Sequence, residues 1–353
     1  TKYEKNPILC PADGLKDFRD PKVFRYEPED KWVMIVSADK EMRFYDSKNL
    51  KDWNYMSSFG EGYGVQPCQF ECPDMVELPV DGDLNRKKWA LIVNVNPGCY
   101  FGGSATQYFV GTFNGKEFVN ESPSKTKWMD WGKDHYATVT WSDAPDNRRI
   151  AIAWMSNWQY ANDVPTSQYR SPNSVPRDLG LFTVGGETYL QSAPSPELQK
   201  LRGISKKRSF RVNGTRTVKE MIPVNEGAYE IELSIKNLHA DVIGFRLYND
   251  KGEEVDMQYD MKENRFSMDR RKSGDVGFNE NFPALTWTAV ESGKNELKLH
   301  LFVDKSSVEA FGDGGRFAMT NQVFPSEPYN HIDFYSKGGA YKVDSFIVYR
   351  LKQ

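Results

Sequence analysis

Gln66-Pro67-Cys68-Gln69-Phe70-Glu71-Cys72-Pro73-Asp74-Met75-Val76-Glu77-Leu78 places one carboxylate, Glu71, between a bulky aromatic residue and a Cys-Pro step, ahead of an apolar run. Pro73 fixes φ and biases the residue before it toward extended backbone, so Glu71 reads as the start of a β-strand in apolar surroundings. A carboxyl group partly withdrawn from water has its charged form disfavoured, which suits a general acid working near neutral pH. A lone Glu at a strand start is usually surface decoration, but a second stretch is built the same way. Phe18-Arg19-Asp20-Pro21-Lys22-Val23-Phe24 again sets a carboxylate before a proline with an aromatic residue upstream. Each stretch is followed by a turn and an apolar strand, Lys31-Trp32-Val33-Met34-Ile35-Val36 and Lys88-Trp89-Ala90-Leu91-Ile92-Val93. A fainter third copy runs from Asp134-His135-Tyr136 to Arg149-Ile150-Ala151-Ile152-Ala153-Trp154. Repetition at roughly 50 residues, with several short strands per repeat, is the pattern of β-propeller blades. The first strand of each blade lines the axis, so Asp20, Glu71 and Asp134 are expected to converge at one mouth of it.

Composition narrows the class. The chain has 353 residues, 14% aromatic content and a net charge of −3. Long helical periodicity is missing, which points to an all-β chain, and no basic footprint invites nucleic acid. No apolar run approaches the roughly 18 residues of a membrane span, and no leader pattern is visible. The chain opens at Thr1 without Met, so a processed or truncated piece is expected. Four cysteines, Cys10, Cys68, Cys72 and Cys99, are too few and too uneven for a disulfide scaffold. Cys68 and Cys72 lack a second ligand pair for zinc, so neither a metal nor a cofactor is expected.

Residues 1–195 carry the repeats, and division by 45–50 residues per blade gives about four blades. In the strand at 33–36, Val33 and Ile35 oppose Met34 and Val36, so both faces are apolar, as stacked blades require. The Pro/Ser-rich run at 192–197 and the helix-like Leu198–Leu201 suggest a linker over residues 196–204. From 205 to 353 the repeat is gone and short alternating strands continue, fitting a β-sandwich.

These residues carry a resemblance. Arg19-Asp20-Pro21 and Glu71-Cys72-Pro73-Asp74 resemble two of the three signature motifs of glycoside hydrolase family 32, the fructan hydrolases and invertases. The runs at 102–111, 153–161 and 174–179 are similar to the levanase and exo-inulinase branch, and Val303–Phe311 resembles the family's sandwich motif. The resemblance implies a five-bladed β-propeller catalytic domain followed by a C-terminal β-sandwich. One departure stands out: the family's nucleophile lies in an Asn-Asp-Pro-Asn-Gly motif of the first blade, and no such run occurs here. The expectation is therefore a chain lacking that blade, inactive by itself, with the nucleophile outside residues 1–353.

The chemistry implied is retaining hydrolysis of a β-fructofuranosidic bond in levan, inulin or sucrose, with two carboxyls roughly 5–5.5 Å apart. Glu71 would be the acid and then the base; Asp20 would stabilise the transition state through the furanose hydroxyls. Arg19, Asp134, Tyr136, Trp154 and Trp158 would contact the sugar, the two tryptophans being four apart and hence on one strand face. His135, pointing the other way by alternation, is left out. The other reading is a non-catalytic sugar-binding propeller that has lost its nucleophile. The implied partner is a fructan or fructo-oligosaccharide, and the implied location is secreted, periplasmic or cell-surface. Apolar faces bared by a missing blade, such as Val33–Val36 and Ile150–Trp154, are expected to drive self-association.

Overall fold

A computed structural model describes residues 1–11, 14–66, 68–218, 227–290 and 295–352. Two compact units emerge: the first comprises residues 1–129, 136–153 and 179–190, and the second residues 130–135, 154–178 and those from 191 onward. Among the described residues the chain is all-β, with only short 3₁₀ turns between strands.

The first unit is built from antiparallel meanders. Strands β1 (Phe18–Tyr26), β2 (Lys31–Ala38), β3 (Glu41–Ser47) and β4 (Asn54–Phe59) pair in sequence order as one blade. A second blade is β5 (Phe70–Val80), β6 (Asp83–Val95), β7 (Ala105–Phe113) and β8 (Phe118–Asn120), with β9 (Lys127–Trp128) beside β7. The third runs β10 (Tyr136–Thr140), β11 (Ile150–Trp154), β12 (Arg177–Val184) and β13 (Glu187–Pro194). A parallel contact, Leu181 opposite Val80, joins the last two into one sheet. Among the described residues the four-stranded blades number three, not about four. The period misleads because residues 1–11 and 14–17 form no strand and the third module carries a strandless excursion over 155–176.

Both faces of the second strand are buried, as the alternation requires: Val33 and Ile35 are fully enclosed, and Met34 and Val36 nearly so. Phe24, Tyr26, Trp89 and Phe113 form an aromatic layer beside them, Phe24 lying 5.5 Å from Trp89. The expectation that Val33–Val36 presents a bare apolar face is therefore overturned, since neighbouring strands of the same unit cover it. Ala151 and Ala153 of the other run are buried too, and Ile150, Ile152 and Trp154 are half-buried.

The three inner strands, β1, β5 and β10, are tied by one buried polar knot. Lys22 Nζ donates to Asp74 Oδ2 (3.0 Å) and to the Thr140 carbonyl (2.8 Å). The Thr140 amide and hydroxyl donate to the same Asp74 oxygen at 2.6 and 2.9 Å. Asp74 is fully buried. A buried carboxylate is tolerated only when paired and hydrogen-bonded, and here its partners come from two other blades.

In the second unit, β14 (Arg202–Val218) follows the 3₁₀ turn Pro196–Leu201, so the sheet begins inside the stretch read as a linker. Strands β15 (Tyr229–Asn237), β16 (Val242–Tyr248), β17 (Glu254–Asp260), β18 (Arg265–Lys272) and β19 (Leu285–Ala289) come next. They are followed by β20 (Glu296–Asp304), β21 (Ser307–Gly312), β22 (Phe317–Gln322) and β23 (His331–Leu351). The long β23 pairs with β16 through His331–Lys337 and with β15 through Tyr341–Arg350, passing from one layer of the sandwich to the other. Gly338 sits at the changeover with φ +70°, and a Cβ there would stand 2.2 Å from the Asp241 carboxylate. Glycine is thus required for the bend. Ile231, Leu233, Phe245, Met257, Leu301, Phe334 and Phe346 fill the core between the layers.

Candidate active site

Each inner strand of the first unit opens with a residue in the left-handed region: Asp20 (φ 58°), Cys72 (φ 44°) and Ala137 (φ 53°). In β1 and β5 this residue sits in a bulge, where the register slips between Arg19 and Lys22 and between Glu71 and Asp74. Bulges re-aim side chains, and a left-handed Ala or pre-proline Cys is strained enough to need outside support. The residue just before each left-handed position is Arg19, Glu71 and Tyr136, and these three side chains meet.

Glu71 is the focus. Its Oε1 accepts from Arg19 Nη2 at 2.8 Å and from Gln69 Nε2 at 3.1 Å, while the Tyr136 hydroxyl donates to Oε2. Its side chain is 15% exposed, so the carboxyl is recessed yet reachable. Arg19 also bonds Asp17, forming a fork that fixes the guanidinium plane. The bond to Glu71, more than any other contact, holds the Arg19 guanidinium above its already high usual value, so it stays a cation throughout.

Asp20 lies alongside. Its Oδ2 accepts the Cys72 amide at 3.0 Å and faces the Cys72 thiol at 3.6 Å, and its side chain is 32% exposed. Burial, then the nearby Asp20 and Glu71 charges, push the Cys72 thiol up to about 12. A thiol held protonated in this way is a filler, not a nucleophile or a metal ligand.

Asp134 does not join this group. It belongs to the second unit, is fully buried, and both its oxygens are engaged. Oδ2 takes Arg270 Nη1 and the Gln322 amide (2.8 Å); Oδ1 takes the Tyr160 hydroxyl (2.7 Å). It is the carboxylate of a buried ion pair, whereas Tyr136, two residues on, enters the first unit. Trp154 and Trp158 also lie in the second unit, their ring centroids 4.9 Å apart. They do not share a strand face: β11 ends at Trp154 and the chain turns, leaving Trp158 half exposed. His135 is buried, and desolvation, followed by the charge of Arg177, lowers its imidazole to about 3. Arg177 itself bridges Asp130 (2.9 Å) and Glu309 (2.8 Å) in the second unit, which gives two motif residues of that region a structural role.

Glu230, Glu232 and His300 cluster at metal-ligand spacing, but the Arg202 guanidinium forks onto both acids, so a cation already occupies the group. Sequence reasoning missed Gln69 and Asn94. Asn94 is wholly buried beneath Glu71, and its signal was a polar residue at the end of the apolar run 89–93.

Comparison with known proteins identifies the family of both domains. Glycosyl hydrolases family 32 N-terminal domain matches residues 1–194, and the family's C-terminal domain matches residues 197–350. A levanase of Bacillus subtilis (strain 168) is 42% identical over all of this chain and 53% of its own length. An extracellular exo-inulinase of Aspergillus awamori is 34% identical over 96% of this chain and 66% of its own. The chain thus spans about half to two-thirds of these relatives. The crystal structure of exo-inulinase from Aspergillus awamori superposes with a TM-score of 0.88 at 32% identity, covering 99% of this chain and 71% of that one. A fructofuranosidase from Schwanniomyces occidentalis, solved with fructose, gives 0.87 at 28% identity over 100% and 74%. With both domains matched in order along nearly its whole length, the chain belongs to glycosyl hydrolase family 32.

Proposed function

We propose that the protein carrying this chain hydrolyses β-fructofuranosidic bonds of levan, inulin or sucrose with retention of configuration, and that residues 1–195 form its catalytic domain. The observation that carries the reading is the convergence of Arg19, Gln69 and Tyr136 on the single recessed carboxylate Glu71. The relatives named levanase and exo-inulinase support the substrate class, and the one named extracellular supports secretion. In this reading Glu71, protonated, gives its proton to the leaving-group oxygen as the glycosidic bond breaks, and the Tyr136 hydroxyl turns to accept. The carboxylate then formed regains the donors described above and takes a proton from the attacking water. Asp20 grips the furanose hydroxyls, a contact that aids catalysis only insofar as it tightens in the transition state. Arg19 keeps Glu71 aimed and adds a donor at the sugar. Asp134 is left out of the sugar contacts, being committed to Arg270.

No Asn-Asp-Pro-Asn-Gly run occurs in residues 1–353, so the attacking carboxylate is assigned outside them in this scheme. The same observation favours a second reading, a sugar-binding propeller without turnover. Glu71→Gln decides between them in the full-length protein. The amide keeps the shape but delivers no proton, so hydrolysis of natural fructans should fall roughly 10²–10⁴-fold while calorimetric affinity for fructo-oligosaccharide is kept. Activity within tenfold of wild type removes Glu71 from the acid role. A wild-type protein that binds fructan without cleaving it supports the second reading.

A further inference from the structure

We propose that Asn94, with Thr106 and Thr138, is the positioning residue that sets the Glu71 carboxylate and the Tyr136 hydroxyl against each other; this rests on the acid/base reading of Glu71. Asn94 stands on β6 directly opposite Glu71 in the ladder. Its Nδ2 donates to the Cys72 carbonyl at 3.1 Å and to the Glu71 carbonyl at 3.4 Å. Its Oδ1 accepts the Thr106 hydroxyl at 2.6 Å and the Thr138 amide at 3.2 Å. The Thr106 and Thr138 hydroxyls close the ring at 2.9 Å. All three residues are buried, Asn94 and Thr138 completely.

One amide therefore touches the backbone beside both left-handed residues, Cys72 on β5 and Ala137 on β10. On β5 it holds the two carbonyls flanking the left-handed Cys72; on β10 it holds the amide that follows the left-handed Ala137. Glu71 and Tyr136 are the residues just before those two strained positions. A left-handed Cys and a left-handed Ala each persist only where the surroundings over-determine them. A ladder of alternating apolar residues would serve packing equally well here, yet a fully satisfied polar triad stands in its place. Such networks rigidify when complete and lose geometry when one member is removed. Side-chain placement at a reacting centre is sensitive on this scale, a misplacement of 1 Å costing about 10²-fold.

The test uses Asn94→Ala, Thr106→Val and the conservative Thr106→Ser, with two readouts. In the full-length protein, Asn94→Ala and Thr106→Val should lower kcat on fructo-oligosaccharide roughly 10²-fold with KM little changed, and Thr106→Ser should restore it. The second readout needs no turnover: alkylation of Cys72, mapped by mass spectrometry, against Cys10, Cys68 and Cys99 in the same molecules. Loosening the β5 bulge should raise Cys72 labelling about tenfold in Asn94→Ala while the other three stay at wild-type rates. If kcat and Cys72 labelling both stay at wild-type values while only the melting temperature falls, Asn94 is structural and the proposal fails. If the wild-type protein turns over no fructan, the functional reading fails, and Cys72 labelling alone decides the positioning role.

Discussion

Lys22→Met isolates the knot that fixes the three inner strands relative to one another. Methionine keeps most of the apolar stem and removes the ammonium, so Asp74 loses its cation while remaining fully buried. Breaking a buried pair by removing one partner costs about 3–5 kcal/mol, because the surviving charge is left uncompensated. Asp74 keeps two donors from Thr140, at 2.6 and 2.9 Å, which places the expected loss near the lower end, about 3 kcal/mol. For a unit of 150–250 residues that corresponds to a melting shift of roughly 6–12 °C. Adding Asp74→Asn neutralises the stranded charge but leaves an oxygen for the Thr140 amide, so the double variant should be more stable than Lys22→Met alone. Scanning calorimetry of the wild type, both single variants and the double variant completes the cycle. A loss below about 1 kcal/mol for Lys22→Met, or a double variant no better than the single, would refute the uncompensated-charge reasoning.

Asp20→Asn should lower kcat strongly and KM little, because the contact is made mostly in the transition state; steady-state kinetics showing a change confined to KM would make Asp20 a uniform binding residue. Arg19→Lys keeps the charge but cannot span Asp17 and Glu71 with one planar fork, so kcat should fall about tenfold or more on fructan, and an unchanged kcat would deny Arg19 its aiming role. His135 has its folded-state value lowered to about 3 by burial, so the unfolded chain binds a proton that the folded chain refuses once pH drops below the ordinary imidazole value. Stability should therefore fall by about 2 kcal/mol between pH 7.5 and 5, and His135→Gln should lack that increment in urea titrations at the two pH values.

The architecture was legible because its signals are local. Alternation at 33–36, repeated carboxylate-proline steps and turn residues each report on a few neighbouring positions, and the propeller pattern is their repetition. The blade count was not legible, since a period assumes every module is equally long. The excursion over 155–176 interrupts β11 and β12 and adds residues without adding strands. It also brought Trp154 and Trp158 together by a turn, a geometry that spacing along a strand cannot express. The start of β14 at Arg202 was hidden for a related reason: its partner is the far end of β23, Arg202 facing Leu351, and no local signal reports a pairing of that reach.

At the site the sequence aligned the wrong residues by one place. Asp20 and Glu71 look equivalent because each is a carboxylate near a proline, but Asp20 is the left-handed residue of its bulge, and in β5 that position is Cys72. The equivalents of Glu71 are Arg19 and Tyr136, a cation and a hydroxyl, residue types that no search for repeated acids would group. The offset has a chemical consequence. Three like carboxylates at equivalent positions would repel; a carboxylate, a guanidinium and a phenol at those positions bind one another and leave a single acid at the focus. Asp20, one step further along, is turned onto the Cys72 amide, and so the second carboxylate stays close to the first without competing for Arg19 Nη2. Asp134 shows the same logic in reverse. Its place two residues before Tyr136 corresponds to Asp17 and Gln69, which serve Arg19 and Glu71, and in the third module that supporting position has been given over to a buried pair with Arg270. The left-handed residue at the start of each inner strand, not the acid, is the repeated unit of this site, and each module places different chemistry beside it.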